Sequence, residues 1–459
     1  MSEPNQVVEA SAPIETTLIE EESNQPAPVS TTDRITALDT VRGFALLGIL
    51  LMNVLTFSYF FSASFNPTVQ GGATGVNLWT YITMAVLFDG KMRALFSMMF
   101  GAGVILMTSR AVPDIADVHY RRMMWMALFG AAHAYLIWWG DILYPYALCG
   151  LILFPMRKLS AKALIITGVV MVLLTGGMGV GQGFDTRSKR QKALEADAAE
   201  KQGTKLTEEQ KEAQKKWKDV QKFWQPDAES LKKDSDAYRG SYLAALKHRA
   251  GMVLEWHSSP YYGPGLWDMF SMMFIGMGLM KLKFFAAEWP AKTYVRIATA
   301  GYLLGIPIMA TAVGFVIKSN YDVVTASFGL AAYHPSRLLI AMAHASVLLL
   351  IVKTGALSGI TSRLAAVGQM AFSNYIFHSV VCSIVFYGYG FKLYGQLQRH
   401  QLYYVVGAIW LFQLLVSPIW LRHFRFGPLE WVWRSLTYWK RQPMRIHAEE
   451  ASIAQVAVA

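Results

Sequence analysis

The hydrophobic residues of this 459-residue chain are grouped into long apolar blocks that follow one another along most of its length. Each block holds few charges and is about 20 residues long, the helix length needed to cross about 30 Å of hydrocarbon. The pattern predicts ten transmembrane helices, at about 41–60, 78–108, 123–139, 142–156, 163–181, 264–281, 297–317, 335–353, 365–386 and 402–420. We therefore expect an all-α, polytopic transmembrane helical bundle.

Polar segments interrupt these blocks and predict the domain organisation. Residues 1–33 are acidic and rich in Ser, Thr and Pro, which predicts a disordered cytoplasmic tail. The charged stretch 182–262 is rich in helix-forming residues and predicts an external helical insert, either a hairpin or a partly ordered arm, that folding does not require. The remaining parts are two transmembrane halves of about five spans each, 34–181 and 263–426, and a C-terminal segment, 427–459.

The C-terminal segment begins with an amphipathic pattern. Pro428 suits the first turn of a helix and Glu430 suits its positive end. One apolar stripe follows helical spacing, through Leu429, Val432, Trp433 and Leu436. We expect an interfacial helix on the inner membrane surface, followed by a cytoplasmic tail.

Composition supports the membrane class. The chain is 54% hydrophobic and only 16% charged, which excludes a soluble enzyme, a disulfide scaffold and a nucleic-acid binder. Its net charge of +11 comes largely from Lys and Arg beside apolar spans, including Arg110, whereas the loop 61–77 has none. This asymmetry places both termini in the cytoplasm. Cys149 and Cys382 lie in apolar blocks without a CxxC spacing, so we expect buried thiols and no metal site.

Ionisable and amide side chains inside apolar spans are costly, so each is a candidate for the site. In the second block Asp89, Lys91 and Arg93 need partners or a water-filled cavity, and Gly90 suggests a break in the helix. A second group lies in the first span, where Asp39 and Arg42 share a helix face and Asn53 lies near mid-depth.

Two histidines are candidates for a general base. His133 precedes a tight hairpin at Gly140–Asp141, and Asp141 either orients His133 or caps the next helix. In the ninth span, Asn374 and His378 lie one turn apart on one face. Counted along their helices, Asn53, Asp89, His133 and His378 can reach a similar depth, which predicts one polar cavity in the outer half of the bundle.

Several motifs resemble a known family. They are DTVRGFALLGILLMN, KMRALFSMMFGAG, HAYLIWWGDILYPYALCG, GQMAFSNYIFHSVV and FRFGPLEWVWRSLTY. From about 34 to 438 the chain resembles the YeiB-like family of bacterial inner-membrane proteins, which carry domain of unknown function 418. The resemblance implies a multi-pass protein of the bacterial inner membrane.

The first half of that family is distantly similar to transmembrane acyltransferases, including the heparan-glucosaminide acetyltransferases. The shared first-span pattern D-x-x-R-G-F, ending in Asn, corresponds here to Asp39, Arg42, Gly43, Phe44 and Asn53. The resemblance implies transfer of an acyl group from cytoplasmic acyl-CoA, a co-substrate and not a tightly bound cofactor, to an acceptor at the outer face. Their histidine after the first span has no counterpart in 61–77, so His133 or His378 would replace it.

In the acyltransferase interpretation, His133, Asp141 and His378 are the catalytic candidates. Substrate would be bound by Asn53, Asp89, Lys91, Arg93 and Asn374. Acyl-CoA would be bound by Asp39, Arg42, Arg121 and Arg122, because the arginines suit its phosphates. An alternative is a transporter or transport-associated protein, with charged residues lining a polar path. A third is a structural membrane factor whose insert binds a partner. Expected partners are membrane lipids and a small-molecule, glycan or lipid acceptor, but not nucleic acid; oligomerisation stays open.

Overall fold

The computed structural model describes residues 35–109, 114–259 and 262–446. The predicted tail 1–33 and Arg110 lie outside the described residues. In the first half and the insert the helices are α1 (Thr36–Ser58), α2 (Gly75–Thr83), α3 (Lys91–Thr108), α4 (Ile115–Leu136), α5 (Leu143–Met156), α6 (Ala161–Lys201), α7 (Glu208–Trp224), α8 (Ala228–Arg239) and α9 (Tyr242–Ser258). They continue with α10 (Tyr262–Lys281), α11 (Ala291–Lys318), α12 (Val323–Thr354), α13 (Ser358–Gln369), α14 (Ala371–Phe386), α15 (Leu402–His423) and α16 (Pro428–Tyr438).

This all-α bundle confirms the predicted fold class and is that of a membrane protein. Within the described residues six helical stretches are long and apolar enough to cross a membrane: Thr36–Ser58, Gly75–Thr108, Ala161–Lys201, Ala291–Lys318, Val323–Thr354 and Arg399–His423. The bent pair α13 and α14, which meet at 83°, makes a seventh if it is counted as one span. The count of ten spans stays a prediction.

The helices pack so that the bundle has two distinct ends. The terminal end carries the start of α1, the junction between α13 and α14, and α16. The insert end carries the end of α1 and the helices α7 to α9. Between them α1 lies directly against α13, because a Cβ on Gly43 would come within 1.9 Å of the Leu364 carbonyl oxygen. Only glycine allows this approach.

The charged insert is joined to the bundle much more tightly than the sequence predicts. Helix α6 runs without a break from its apolar part through residue 181 to Lys201. Trp224 at the end of α7 donates its indole N–H to the Tyr321 carbonyl at 2.7 Å. In α8 and α9, Tyr238 and Arg249 are fully enclosed. This burial argues against an insert that folding does not require.

Helix α16 begins at Pro428, as predicted, and its side chains contact the start of α14 at the terminal end. The Glu430 side chain is buried and accepts hydrogen bonds from the backbone N–H groups of Phe372 at 2.6 Å and Ser373 at 3.1 Å. It also accepts from the Ser373 hydroxyl. These donors are orphaned at the start of any helix, so Glu430 caps α14 from a distant part of the chain.

Candidate functional site

Three side chains from distant parts of the chain form a continuous hydrogen-bonded line at the insert end. His133 lies in the last turn of α4, Asp141 lies in the following hairpin, and Ser379 lies in the middle of α14. The His133 Nδ1 atom is 2.8 Å from Asp141 Oδ1, and His133 Nε2 is 2.8 Å from Ser379 Oγ. A carboxylate only accepts, so Nδ1–H donates to Asp141 and Nε2 accepts from the serine hydroxyl. The order is that of a serine–histidine–aspartate triad.

Asp141 both orients His133 and caps the next helix, the two roles that the sequence offers as alternatives. One carboxylate oxygen contacts His133, and the other accepts from the backbone N–H of Tyr144 at 2.7 Å, at the start of α5. The cap therefore fixes the carboxylate that orients the imidazole. This is the double support that keeps a catalytic histidine in one tautomer.

The insert and the neighbouring aromatic rings hold His133 in place. Arg249 of α9 donates to the carbonyls of Tyr135 at 3.0 Å and Leu136 at 2.7 Å, the last carbonyls of α4. The rings of Tyr375 and Trp138 pack against the imidazole, with ring centroids 5.2 Å and 6.2 Å away. The triad is almost completely closed to solvent, since Ser379 is only 1% exposed.

An apolar groove runs along the outside of the bundle between α4 and α14 and reaches the triad. Its volume is about 350 Å³. Its lining extends from Leu429 and Phe372 at the terminal end to Tyr242 and Tyr389 at the insert end, and it includes His133. Ser383, one turn after Ser379, also lines it. The groove therefore connects His133 to apolar surroundings.

A second polar cluster centres on Asp268 of α10. The Arg337 guanidinium of α12 binds its carboxylate through both terminal nitrogens, one of them at 2.7 Å. Arg93 of α3 donates to the same carboxylate at 3.1 Å, and His334 Nδ1 lies 3.4 Å from it. Asp268 is thus the shared anion of two arginines inside the bundle, which satisfies the requirement that charges in a membrane be paired.

The predicted break at Gly90 lies beside this cluster. Helix α2 ends in a π-helical segment, Met84–Phe88, and Gly90 adopts φ 71° before α3 begins. Lys91 is fully buried and donates to the Ala85 carbonyl at 2.7 Å. Asp89 is half-buried near Lys91, and among the described residues its carboxylate accepts no hydrogen bond.

Two tyrosines lie between the Asp268 cluster and the triad. The Tyr375 hydroxyl accepts from the Ile142 N–H at 3.3 Å, next to Asp141. One turn further along α5, the Tyr146 hydroxyl is 2.6 Å from Ser97 Oγ and 3.5 Å from the Arg93 carbonyl. Helix α5 therefore lies between the triad and the cluster and makes hydrogen bonds to residues beside each of them.

The other candidates from the ninth span have structural partners. His378 Nε2 is 2.7 Å from Gln413 Oε1 on α15, so it faces away from His133 although it is the residue next to Ser379. Asn374 donates to Ser417 Oγ at 3.2 Å and to the Val367 carbonyl at 3.1 Å. The two share one face, as predicted, but this face joins α14 to α15. Asn53 is half-buried, and its side-chain amide bonds to no described residue.

The cationic candidates lie at the terminal end. Arg42 and Asp39 form the predicted ion pair, at 2.5 Å. Arg122 stacks on the Trp433 ring of α16 with 4.3 Å to its centroid, and Arg121 lies 5.1 Å from the Trp439 ring centroid. The two arginines are therefore held by tryptophans of the C-terminal segment. In the described ranges no group of three metal-ligating side chains occurs.

Sequence reasoning missed Ser379, which bonds to His133, and the charged pair of Asp268 and Arg337 beside Arg93. Ser379 carries no signal of its own, because a serine in a span ordinarily bonds to its own helix. Asp268 and Arg337 do carry one, since each is a charge inside a predicted apolar span, as Asp89 is. Their pairing across 69 residues needed the structure.

Comparisons with known proteins place the chain in a family. The family described as "Protein of unknown function (DUF418)" matches residues 279–440, which include Ser379 and Glu430. The uncharacterized protein YxaH of Bacillus subtilis is 31% identical over 432 residues, covering 91% of this chain and 97% of YxaH. The uncharacterized protein YeiB of Escherichia coli is 29% identical over 410 residues, 88% of this chain and 96% of YeiB. An uncharacterized 39.9 kDa protein of Bacillus acidopullulyticus is 24% identical, over 92% of this chain and 99% of its own length. The chain therefore belongs to the YeiB-like DUF418 family.

Proposed function

We propose that this protein is a membrane acyltransferase that uses Ser379, His133 and Asp141 to move an acyl group from a thioester donor to an acceptor. The observation that carries the proposal is the unbroken line from Ser379 Oγ through the His133 imidazole to Asp141, with 2.8 Å at each step. This arrangement recurs on several unrelated folds that catalyse acyl transfer through an acyl-serine.

The roles follow from the hydrogen bonds. Ser379 Oγ attacks the thioester carbonyl while His133 Nε2 takes the hydroxyl proton, and Asp141 stabilises the imidazolium that forms. When the carbon–sulfur bond breaks, His133 gives the proton to the leaving thiolate, and Ser379 holds the acyl group as an ester. The acceptor hydroxyl or amine then attacks that ester. His133 takes the acceptor's proton and returns it to Ser379 Oγ.

Burial of the line favours transfer over hydrolysis. Ser379 is 1% exposed, so an acyl-serine at this position is shielded from water. The groove between α4 and α14 supplies apolar walls for an acyl chain, and its volume of about 350 Å³ lies within the usual range of ligand pockets. Because His133 lines it, a chain in this groove lies beside the base.

The donor in this proposal is acyl-CoA, which approaches from the terminal end. Arg42, Arg121 and Arg122 supply guanidinium groups of the kind that bind phosphates. His133 follows Arg122 by eleven residues of one helix, or about 16 Å. With the terminal end in the cytoplasm of a bacterium and the protein in its inner membrane, the acyl group moves outward. The acceptor would be a small molecule, glycan or lipid at the outer face.

Transport is the second candidate, and the Asp268 cluster favours it. Paired charges inside a bundle are typical of substrate paths in transporters. Release of free CoA separates the two functions, because a transporter needs no acyl donor. An acyltransferase releases CoA and stops doing so when the hydrogen bonds from Ser379 to Asp141 are broken. A transporter releases no CoA in either case.

The test uses the full chain in membrane vesicles supplied with acetyl-CoA or palmitoyl-CoA. We expect S379A, H133Q and D141N each to lower the rate of CoA release at least 100-fold. H119Q is the matched control, since His119 is also a fully buried histidine but bonds to the Gly150 carbonyl. Equal rates in the wild type, H133Q and H119Q would refute the proposal.

A further inference from the structure

Helix α6 changes from apolar to cationic within one turn at the insert end. Up to Phe184 its exposed side chains are largely apolar, and Phe184 itself is 59% exposed. The next eight residues, 185–192, carry four cations and one acid. In a membrane protein the exposed apolar side chains of a spanning helix face lipid, and the polar turns that follow lie at the depth of the lipid headgroups. Positive charge is therefore concentrated where a bilayer has its phosphates.

A cleft opens at this level between α6 and the first turns of α12. Its volume is about 440 Å³, which lies within the usual range of ligand pockets. Arg187 and Arg190 of α6 line one side, and Thr325 and Phe328 of α12 line the other. The Phe328 ring packs against the ring of Phe184, with centroids 5.2 Å apart. The cleft therefore joins a cationic side to the apolar surface that faces lipid.

The residues that line the cleft carry one more positive charge than negative charge. Arg190 pairs with Asp322 at 3.0 Å, and the Asp322 carboxylate also accepts from the Thr325 N–H at 3.1 Å. Arg187 is exposed and belongs to no ion pair among the described residues. The Gln191 side chain adds amide donors to the same lining. Because a guanidinium can donate two parallel hydrogen bonds to a phosphate, Arg187 is free to bind one.

We propose that this cleft binds the headgroup phosphate of an anionic phospholipid through Arg187 and Arg190. A lipid fits better than a free anion, because Phe328 leads to the exposed side chains of Phe184 and Leu330, an apolar wall for the acyl chains attached to the phosphate. Basic pockets between spanning helices bind lipid headgroups in other membrane proteins. The cleft shares no lining residue with the groove beside His133, so this binding does not depend on acyl transfer.

Two substitutions at Arg187 grade the charge of the cleft. R187Q removes one cation and should weaken binding of the anionic lipid about fivefold, whereas R187E also adds a repelling carboxylate and should remove the preference altogether. Both should keep the Tm of the wild type, because Arg187 is exposed and makes no ion pair among the described residues. K215Q and K215E are the matched controls, since Lys215 of α7 is likewise exposed and outside every described ion pair.

The experiment uses native mass spectrometry of the purified full-length protein, incubated with equal amounts of phosphatidylglycerol and phosphatidylcholine. We expect the wild type, K215Q and K215E to retain phosphatidylglycerol over phosphatidylcholine about tenfold, R187Q about twofold, and R187E equally. If R187E does not fold, R187Q against K215Q decides.

A second arm adds inorganic phosphate at constant ionic strength, which should not displace the lipid. S379A should retain phosphatidylglycerol like the wild type, so a failed acyltransferase leaves this result intact. No preference in the wild type, equal preferences in the Arg187 and Lys215 variants, or displacement of the lipid by phosphate overturns the proposal.

Discussion

Removal of the Glu430 carboxylate should loosen the start of α14, the helix that carries Ser379. Glu430 accepts from two backbone N–H groups and from the Ser373 hydroxyl, all at the start of α14. In E430A the hydroxyl can rotate to another acceptor, but the two N–H groups stay buried without a partner. Each such donor costs about 1–3 kcal/mol, so we expect the free energy of unfolding to fall by about 2–6 kcal/mol.

E430Q should lower the free energy of unfolding by less than E430A. The amide keeps one acceptor oxygen but loses the charge, and a hydrogen bond to a charged group is worth about 1 kcal/mol more than a neutral one, so the expected loss is about 1–2 kcal/mol. E288A is the control. Glu288 is an exposed glutamate paired with Lys283 at 2.9 Å, and a surface pair of this kind contributes at most about 1 kcal/mol.

The measurement is unfolding of the purified protein by SDS, followed by tryptophan fluorescence. The expected order of stability is wild type and E288A, then E430Q, then E430A. If E430A unfolds at the same SDS fraction as E288A, the distant cap does not hold α14. The reasoning from its hydrogen bonds would then be refuted.

Three further predictions concern packing and orientation. G43L should abolish the folded state, because any Cβ at Gly43 meets the Leu364 carbonyl oxygen at 1.9 Å; a monodisperse G43L protein by size exclusion would contradict this close approach. R249M should lower Tm and the rate of CoA release together, since Arg249 holds the end of α4 next to His133, whereas K216M on the exposed side of α7 should change neither. Reporter fusions at Gly72 and Lys158 should report opposite sides of the membrane, and signals from the same side would disprove the predicted topology.

The sequence predicts those contacts that are local in the chain. Asp39 with Arg42 and the break at Gly90 need only helix geometry and a glycine, and both are present. The hairpin at Gly140–Asp141 is so short that His133 and Asp141 must be near each other, although spacing alone left their contact open. For these features the chain itself limits the alternatives.

Contacts between distant helices could not be predicted in the same way. Ser379 and His378 are neighbours in sequence, and only the rotation of α14 against α4 and α15 decides which of them meets His133. The pairing of Asp268 with Arg337 likewise depends on how α10 packs against α12. The apolar pattern also predicted the insert to be a separate arm. Tyr238 and Arg249 are buried by tertiary contacts, which a hydropathy pattern does not reveal.

The central claim is that Ser379 carries the acyl group, and mass spectrometry of the intact protein tests it most directly. The full chain is mixed with acyl-CoA in the absence of an acceptor, and the reaction is stopped with acid. The mass of the protein is measured, and peptide mapping then locates the modified residue. Our account predicts an adduct with the mass of the acyl group on the peptide that contains Ser379. The adduct should be absent in S379A and H133Q and present in H119Q. CoA release by the wild type without an adduct, or an adduct that persists in S379A, would contradict it.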